Sequence, residues 1–405
     1  MRWLVPTRFG DDEMKILTFS TLFPNKAQPH HGVFVENRLR HLVENTDVSA
    51  QVIAPVPWFP FSSSLFGDYS TFAKVPRSDR RSGIEVTYPR YPLIPKIGMN
   101  LTPWLMYRAV RPLVERMLRD GAGFDLIDAH YFYPDGVAAA YLARALNKPL
   151  TITARGTDLN LIPQYPTPRR LIIEAAEQAD GLITVCQALK DELVAMGIVE
   201  QRVDVLRNGV DLELFQPKDR DAAKRKFGLN GTVLLSVGHL IERKGHDQII
   251  RALPRLPEAT LVIAGIGPED SSLRALAESI GVAGRVRFLG AISHQEMSWL
   301  YSAADLLVLA SSREGWANVL LETMASGTPA AATNVWGAPE VITTAAAGAL
   351  IPERTPDAIA DTVLSVLAGP PTRAATRAHA ELFSWQATSQ GQYDLFRSIL
   401  DRRHK

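Results

Sequence analysis

Two glutamates, Glu314 and Glu322, frame an apolar insert in the stretch "SREGWANVLLETMASG", Ser312 to Gly327. It follows the run "DLLVLA", so it begins at the carboxyl end of a strand. "SSREGWAN" reads as a strand-to-helix loop and "VLLETMAS" as a helix, which "GTP" ends through a glycine at the C-cap and a proline beyond. Were both carboxylates helical, the eight-residue step would set them about 80° apart around the axis. With Glu314 in the loop the pair is free to grip two parts of one ligand. Between them the amides of Gly315, Trp316, Ala317, Asn318 and Val319 lie at a helix N-terminus, where about half a positive charge favours phosphate. Carboxylate, amides and carboxylate can read sugar hydroxyls, a diphosphate and ribose hydroxyls in turn. Standing alone, the same two residues could equally complement a helix dipole and face solvent.

A second loop of the same half changes that balance. "SVGHLIERKGHD" follows the strand "TVLLSVG", and its adjacent cations Arg243 and Lys244 sit where they can clamp a diphosphate and stabilise charge on a phosphate leaving group. Taken by itself, such a pair also suits a solvated turn.

The elements that must position these residues form two series. "KILTFS", "QVIAP", "IEVTYP", "FDLIDA", "PLTITA", "GLITV" and "RVDVL" fill the first half; "TVLLSVG", "ATLVIAG", "RVRFLG", "DLLVLA", "TPAAAT" and "GALI" fill the second. Continuous rather than alternating apolar runs indicate parallel strands covered on both faces. Intervening stretches such as "DSSLRALAESIGV" and "HQEMSWLYSAA" carry the three-and-four spacing of amphipathic helices. The expectation is α/β: two doubly wound Rossmann-like domains facing across a cleft, with ligands beyond the carboxyl ends of the strands. Residues 1–13 read as an N-terminal extension, 14–210 as a first Rossmann-like domain and 211–382 as a second. Residues 383–405, with Phe383, Trp385, Tyr393 and Phe396 as anchors, read as a crossover helix returning to the first domain.

The totals exclude several classes. In 405 residues, 44 Lys plus Arg against 43 Asp plus Glu give a net charge of +1, so no global attraction to nucleic acid is expected. The single cysteine, Cys186, cannot make an intrachain disulfide, and a cytoplasmic setting is the simplest reading. Neither a long apolar span nor a signal-peptide core is present. No metal and no cofactor are expected, because Lys/Arg side chains and helix amides can take the place of a divalent cation at a diphosphate.

The ordered motifs "RNGVD", "GHLIERKG", "AGIGPE", "VRFLGAIS" and "EGWANVLLETMASGTP" resemble those of the retaining, nucleotide-sugar-dependent glycosyltransferases of family four, which have the B-type two-Rossmann fold. "STLFPNKAQPHHGVFVENRLRHL" and "TARGTDLN" are similar to a subgroup acting in bacterial surface-polysaccharide assembly, of the teichuronic-acid type. The resemblance implies that Glu314 faces the donor sugar, that Glu322 binds the nucleotide ribose and that Arg243 and Lys244 clamp the diphosphate. It also implies that Phe288 and Leu289 lie beside the base, although both would serve as strand core, and that Gly32 brings backbone close to the donor. His130 in "IDAHYFYPDG" matches a histidine that reaches the donor sugar.

Arg155 and Asp158 are acceptor-side candidates in "ARGTDLN", where most relatives read "HGTD". A guanidinium is no acid or base near neutral pH, so Arg155 would orient an acceptor or a phosphate. His239 stands where relatives carry an arginine, and "WAN" where they often have "FGL". The acceptor implied is a glycan or a lipid-linked glycan. Trp58, Phe59, Phe61, Phe66, Trp104 and Tyr107 near basic residues would suit peripheral membrane contact, or simple packing. A nucleotide-sugar epimerase of the same fold and a non-catalytic sugar-binding relative are the alternatives.

Overall fold

The structure, a computed structural model, describes residues 13–60, 69–93 and 98–403. Apart from Glu13, the expected N-terminal extension lies outside the described residues, as do Phe61 and Phe66. The chain divides into two compact units. One comprises the chain up to Val185, Leu189–Leu206 and Gln386 onward; the other comprises Cys186–Ala188 and Arg207–Trp385.

The first unit is built on strands β1 (Met14–Phe19), β2 (Val48–Ile53), β3 (Val56–Trp58), β4 (Ser78–Arg81), β5 (Ile84–Thr87), β6 (Arg90–Pro92), β7 (Leu126–His130), β8 (Leu150–Ala154), β9 (Gly181–Thr184) and β10 (Val203–Val205). Eight of them form a sheet in the order β10-β9-β8-β7-β1-β2-β5-β4, and β3 pairs with β6 separately. All ladders of the large sheet are parallel except that of β4 with β5. Strands β7, β8 and β9 are buried at every residue, as parallel strands with both faces covered must be. The seven apolar runs of the first half are β1, β2, β5, β7, β8, β9 and β10. Strand β4, "SDRR", has no apolar run to betray it; its charges suit the edge it occupies.

The second unit carries β11 (Thr232–Val237), β12 (Ala259–Ala264), β13 (Val286–Gly290), β14 (Leu306–Leu309), β15 (Ala330–Thr333) and β16 (Gly348–Ile351). These form one sheet, all parallel, in the order β13-β12-β11-β14-β15-β16. Every one of them coincides with an apolar run of the second half.

Both sheets reverse their strand order once. In the first unit the chain winds outward from β1 in one direction and from β7 in the other; in the second it does so from β11 and β14. At such a switch point the loops leaving the two central strands diverge, which opens a crevice beyond their carboxyl ends. Each unit therefore has one place where its topology favours a ligand.

The C-terminal helix, Trp385–Arg403, belongs to the first unit from Gln386 on. Phe396 and Ile399 are buried in the cluster that includes Val35, Leu39, Leu42 and Leu126. Burying a phenylalanine of this kind is worth about 1.5–3 kcal/mol, which fastens the helix to the sheet.

Candidate functional site

In the second unit, the loop after β11 makes a single 3₁₀ turn, Glu242–Lys244, and then enters the helix His246–Ala252 through Gly245. Gly245 is left-handed at φ 71°, and a Cβ there would run into the Ala310 carbonyl. Only glycine lets the β11 loop lie this close to the loop after β14. Two further links fix the approach: the Ser312 amide donates to the Arg243 carbonyl at 2.8 Å, and Arg243 donates from its guanidinium to the Arg313 carbonyl at 2.8 Å. Arg354, beyond β16, donates to the Ala310 carbonyl at 2.8 Å and to the Glu242 carbonyl at 2.6 Å. It ties the two loops together from behind, a role that nothing in its sequence surroundings announces.

This places Arg243 and Lys244 against Glu314. Lys244 Nζ lies 2.6 Å from Glu314 Oε1, Arg243 lies 3.6 Å from Oε2, and Ser311 Oγ donates to Oε1 at 2.7 Å. Glu314 is only 7% exposed. Burial pushes its carboxyl up, but the Lys244 and Arg243 charges and the two hydrogen bonds outweigh burial and hold it below the ordinary value. It is a fixed carboxylate.

The helix Asn318–Ala325 begins directly after this loop, with Ala317 at its cap and no side chain capping it. Asn318 is held by a 3.3 Å hydrogen bond from Asn208, and its amide donates back to the Trp316 carbonyl at 3.1 Å. Val319 starts the helical turn beside it, half-buried. Trp316 and Ala317 are buried, and the indole packs 6.0 Å from the ring of Phe383. Gly315 spaces them from Glu314, its carbonyl against Gly337.

Glu322, one turn into the helix, accepts a 2.7 Å hydrogen bond from the hydroxyl of Tyr301, itself fully buried on the helix His294–Ala303. Burial raises the Glu322 carboxyl above its ordinary value, with His294 and Tyr301 pulling the other way. Phe288 and Leu289 lie in β13, partly exposed. Phe288 packs on the hydrophobic core beneath the Arg274 guanidinium, 4.2 Å from the ring, and the ladder with β12 bulges so that Leu289 is skipped. His239 is exposed in the β11 loop. Below that loop, buried His246 contacts Ser236 at 2.9 Å, and burial with the Lys244 charge lowers it to about 4.

In the first unit, Gly32 is left-handed at φ 71° against the Leu22 carbonyl and starts the helix Val33–Asn45. The loop from Ser20 to Gly32 is pinned by Asp135, a residue the sequence reading passed over: the Thr21 amide donates to it at 2.7 Å, with both Ser20 and Thr21 hydroxyls added. Burial lifts the Asp135 carboxyl to about 7.

His130 closes β7 and is 1% exposed. Its Nε2 lies 3.0 Å from Asp128 and its Nδ1 lies 2.5 Å from Arg155 NH2. Burial foremost, and the Arg155 charge, lower the imidazole to about 4 against the pull of Asp128, so it is neutral at physiological pH. Nε2–H then donates to Asp128, and Nδ1 accepts from Arg155. Arg155 also stacks over Phe34 at 5.6 Å. Asp158 is fully buried and accepts from the amides of Phe132, Arg155 and Gly156 at 2.8, 3.1 and 2.6 Å. Its carboxylate is thus spent on holding the loops after β7 and β8 together. Asp128 was legible in principle: two residues before His130 in a strand, it shares the same face.

Family models match the chain in tandem. One, described as Glycosyltransferase Family 4, matches residues 66–214; the other, Glycosyl transferases group 1, matches residues 217–383. The chain belongs to the family-four glycosyltransferases. A curated relative within the reach of this family, the D-inositol 3-phosphate glycosyltransferase of Mycobacterium tuberculosis, is 33% identical over 242 residues, covering 56% of this chain and 50% of that protein. The chain thus spans about half the length of the curated relatives it matches. Among solved structures, the sucrose-phosphate synthase of Thermosynechococcus elongatus superposes with a TM-score of 0.77 at 20% identity over 96% of this chain and 100% of that one. HepE of Anabaena in complex with UDP gives 0.72 at 20% identity, over 95% and 100%. Both show that the family-four chain shares their fold.

The cation pair around Glu314 has a measurable signature. A carboxyl held low adds stability above its unfolded value of 4.5 that is lost as pH falls through the folded value. In Lys244→Met burial is opposed only by Arg243 and Ser311, so the Glu314 carboxyl rises and the stability tied to its ionised form is reduced. Urea titrations are expected to show the variant's stability deficit largest near pH 7 and shrinking toward pH 4.5. A deficit independent of pH would contradict the pairing.

Proposed function

We propose that the chain is a retaining, metal-independent glycosyltransferase that moves a sugar from a nucleotide-diphosphate sugar to a hydroxyl acceptor. The observation that carries this reading is the convergence, at the switch point of the second sheet, of Lys244 and Arg243 on buried Glu314 beside an uncapped helix start. Family membership supports it, as does HepE, a neighbour of the same fold solved with UDP and with UDP-glucose. The acceptor oxygen bonds to the anomeric carbon on the face from which the phosphate oxygen leaves, and the acceptor's proton passes to the departing diphosphate. Lys244, Arg243 and the amides of Gly315, Trp316, Ala317 and Val319 neutralise that diphosphate, which is where an enzyme of this kind gains most; the Asn318 amide, expected among them, is already given to the Trp316 carbonyl. Glu314 aligns the sugar hydroxyls and Glu322 the ribose, with Leu289 and Phe288 beside the base and Gly32 beside the donor. His130 acts through Arg155, the acceptor-side group it holds.

For the acceptor we favour a glycan or lipid-linked glycan of bacterial surface-polysaccharide assembly. Support comes from the segments around Ser20–Gly32 and Arg155–Asp158, and from a fold neighbour named lipopolysaccharide outer core galactosyltransferase. The curated relatives are instead named for an inositol phosphate, and a phosphorylated acceptor is the second reading, favoured by the cation at Arg155. No described helix is long and apolar enough to cross a membrane. Peripheral contact rests on exposed Trp58, Leu101 and Trp104, the last beneath the Arg108 guanidinium at 5.5 Å. Tyr107 is similarly placed beneath Arg111, and Phe59 is half-buried.

Two experiments test these proposals. Glu322→Ala is expected to weaken nucleotide-sugar binding by roughly tenfold or more, as losing a charged hydrogen-bond partner does, and Lys244→Ala to lower kcat by about 10²-fold at saturating donor. Unchanged kinetics in both would end the assignment. In flotation, vesicles rich in anionic lipid are expected to carry the protein upward, and Trp104→Ala to reduce the carried fraction; a protein that stays at the bottom has no peripheral membrane role.

A further inference from the structure

Gln392 sits in the middle of the C-terminal helix and is 1% exposed. Were the helix only a packing element, an apolar residue would serve there better, since a buried amide costs free energy unless all its bonds are made. Here they join two opposite charges. Gln392 Oε1 accepts from Arg38 Nε at 2.7 Å, and its Nε2 donates to Asp128 Oδ2 at 3.0 Å. Arg38 is 1% exposed on the helix that follows Gly32, and it also donates to the Leu206 carbonyl at 2.9 Å.

The same Asp128 oxygen accepts from His130, while its other oxygen accepts from Thr151 at 2.9 Å. His130 in turn accepts from Arg155. The bonds run without a gap from the C-terminal helix to the side chain assigned above to the acceptor side. The Asp128 carboxylate can only accept and the Arg155 guanidinium can only donate, so Nε2 of His130 carries the proton and Nδ1 holds Arg155, while the Gln392 amide fixes where the Asp128 carboxylate stands and how strongly it pulls on the ring.

We propose that Gln392 is a positioning residue for Arg155, acting through Asp128 and His130, so that seating the C-terminal helix sets the acceptor-side cation. This rests on the acceptor-side reading of Arg155 given under Proposed function. An apolar helix dock would hold the fold equally well. The amide makes the alignment of Arg155 depend on that dock.

The test uses the full chain with ¹⁵N-labelled histidine. The charged groups facing His130 are Asp128 on its own strand, Arg155 on the β8 loop and Arg38 on the helix Val33–Asn45; Gln392 is neutral. In the wild type the His130 ring is expected to stay in one tautomer and remain neutral down to about pH 4. Gln392→Glu keeps the shape, adds a negative charge and removes the donor to Asp128, so the titration of His130 should move up by roughly a unit or more. Gln392→Leu removes the donor to Asp128 without adding charge, so the His130 ¹⁵N shifts and titration should move from their wild-type positions while the tautomer stays the same. In both variants acceptor KM or kcat should worsen by roughly 3- to 100-fold, the span of coupling within one hydrogen-bonded network. Affinity for UDP, GDP or ADP, whichever binds the wild type, should be unmoved.

A His130 titration and ¹⁵N shifts identical to wild type in folded Gln392→Glu and Gln392→Leu would overturn the proposal. If those signals move as expected while Arg155→Met turns over normally, the acceptor-side reading of Arg155 fails, and with it the catalytic half of the inference.

Discussion

A carboxylate kept charged while buried is the constraint around which the second unit is arranged. Glu314 can remain ionised in that position only because Lys244 and Arg243 come to it from a different strand. Separated from them, a buried charge costs several kcal/mol and would protonate or pull the loop into solvent. The surroundings serve the approach: Gly245 removes the atom that would collide with Ala310, Arg354 straps both loops, and Ser311 adds a hydrogen bond to Oε1. The reward is a set of cations whose geometry is set before any ligand arrives, the preorganisation on which stabilising a departing diphosphate depends.

The first unit solves a similar problem with a longer chain of contacts. Asp128, His130, Arg155, Arg38 and Gln392 are all nearly excluded from water, and each is tolerable there because the next completes its bonds. Asp158 and Asp135 do comparable work with backbone amides, locking the loops that leave β1, β7 and β8. Both constellations stand at the one point in their sheet where strand order reverses, so topology has put the polar groups where the backbone already leaves room.

Much of this was legible from residue order. The parallel strands announce themselves because burial on both faces demands unbroken apolar runs, and the loops that carry Glu314 and the cations Arg243 and Lys244 are legible at strand ends, whereas the direct ion pair between them is seen only in the fold. What stayed hidden has physical reasons. The edge strand β4 is charged along its length and has no period to detect. Gln392 lies 264 residues from Asp128, and a lone polar residue in an amphipathic helix looks like its solvent face until the helix is seen docked. Arg354 and Asp135 act on backbone atoms, which carry no sequence signature. Asp158 is an acceptor-side candidate by its motif, and the three amides of its own neighbourhood that bind its oxygens are backbone groups that no motif displays.

The central claim is that the Lys244–Arg243–Glu314 cluster is a diphosphate cradle. Calorimetry with UDP and UMP, GDP and GMP, and ADP and AMP addresses it most directly, because each pair differs only by the phosphate in question. For one base, the diphosphate is expected to bind at least about tenfold more tightly than the monophosphate, a difference of about 1.4 kcal/mol, and Arg243→Met should erase most of that difference. Equal affinities within every pair, or a difference that survives Arg243→Met unchanged, would contradict the account.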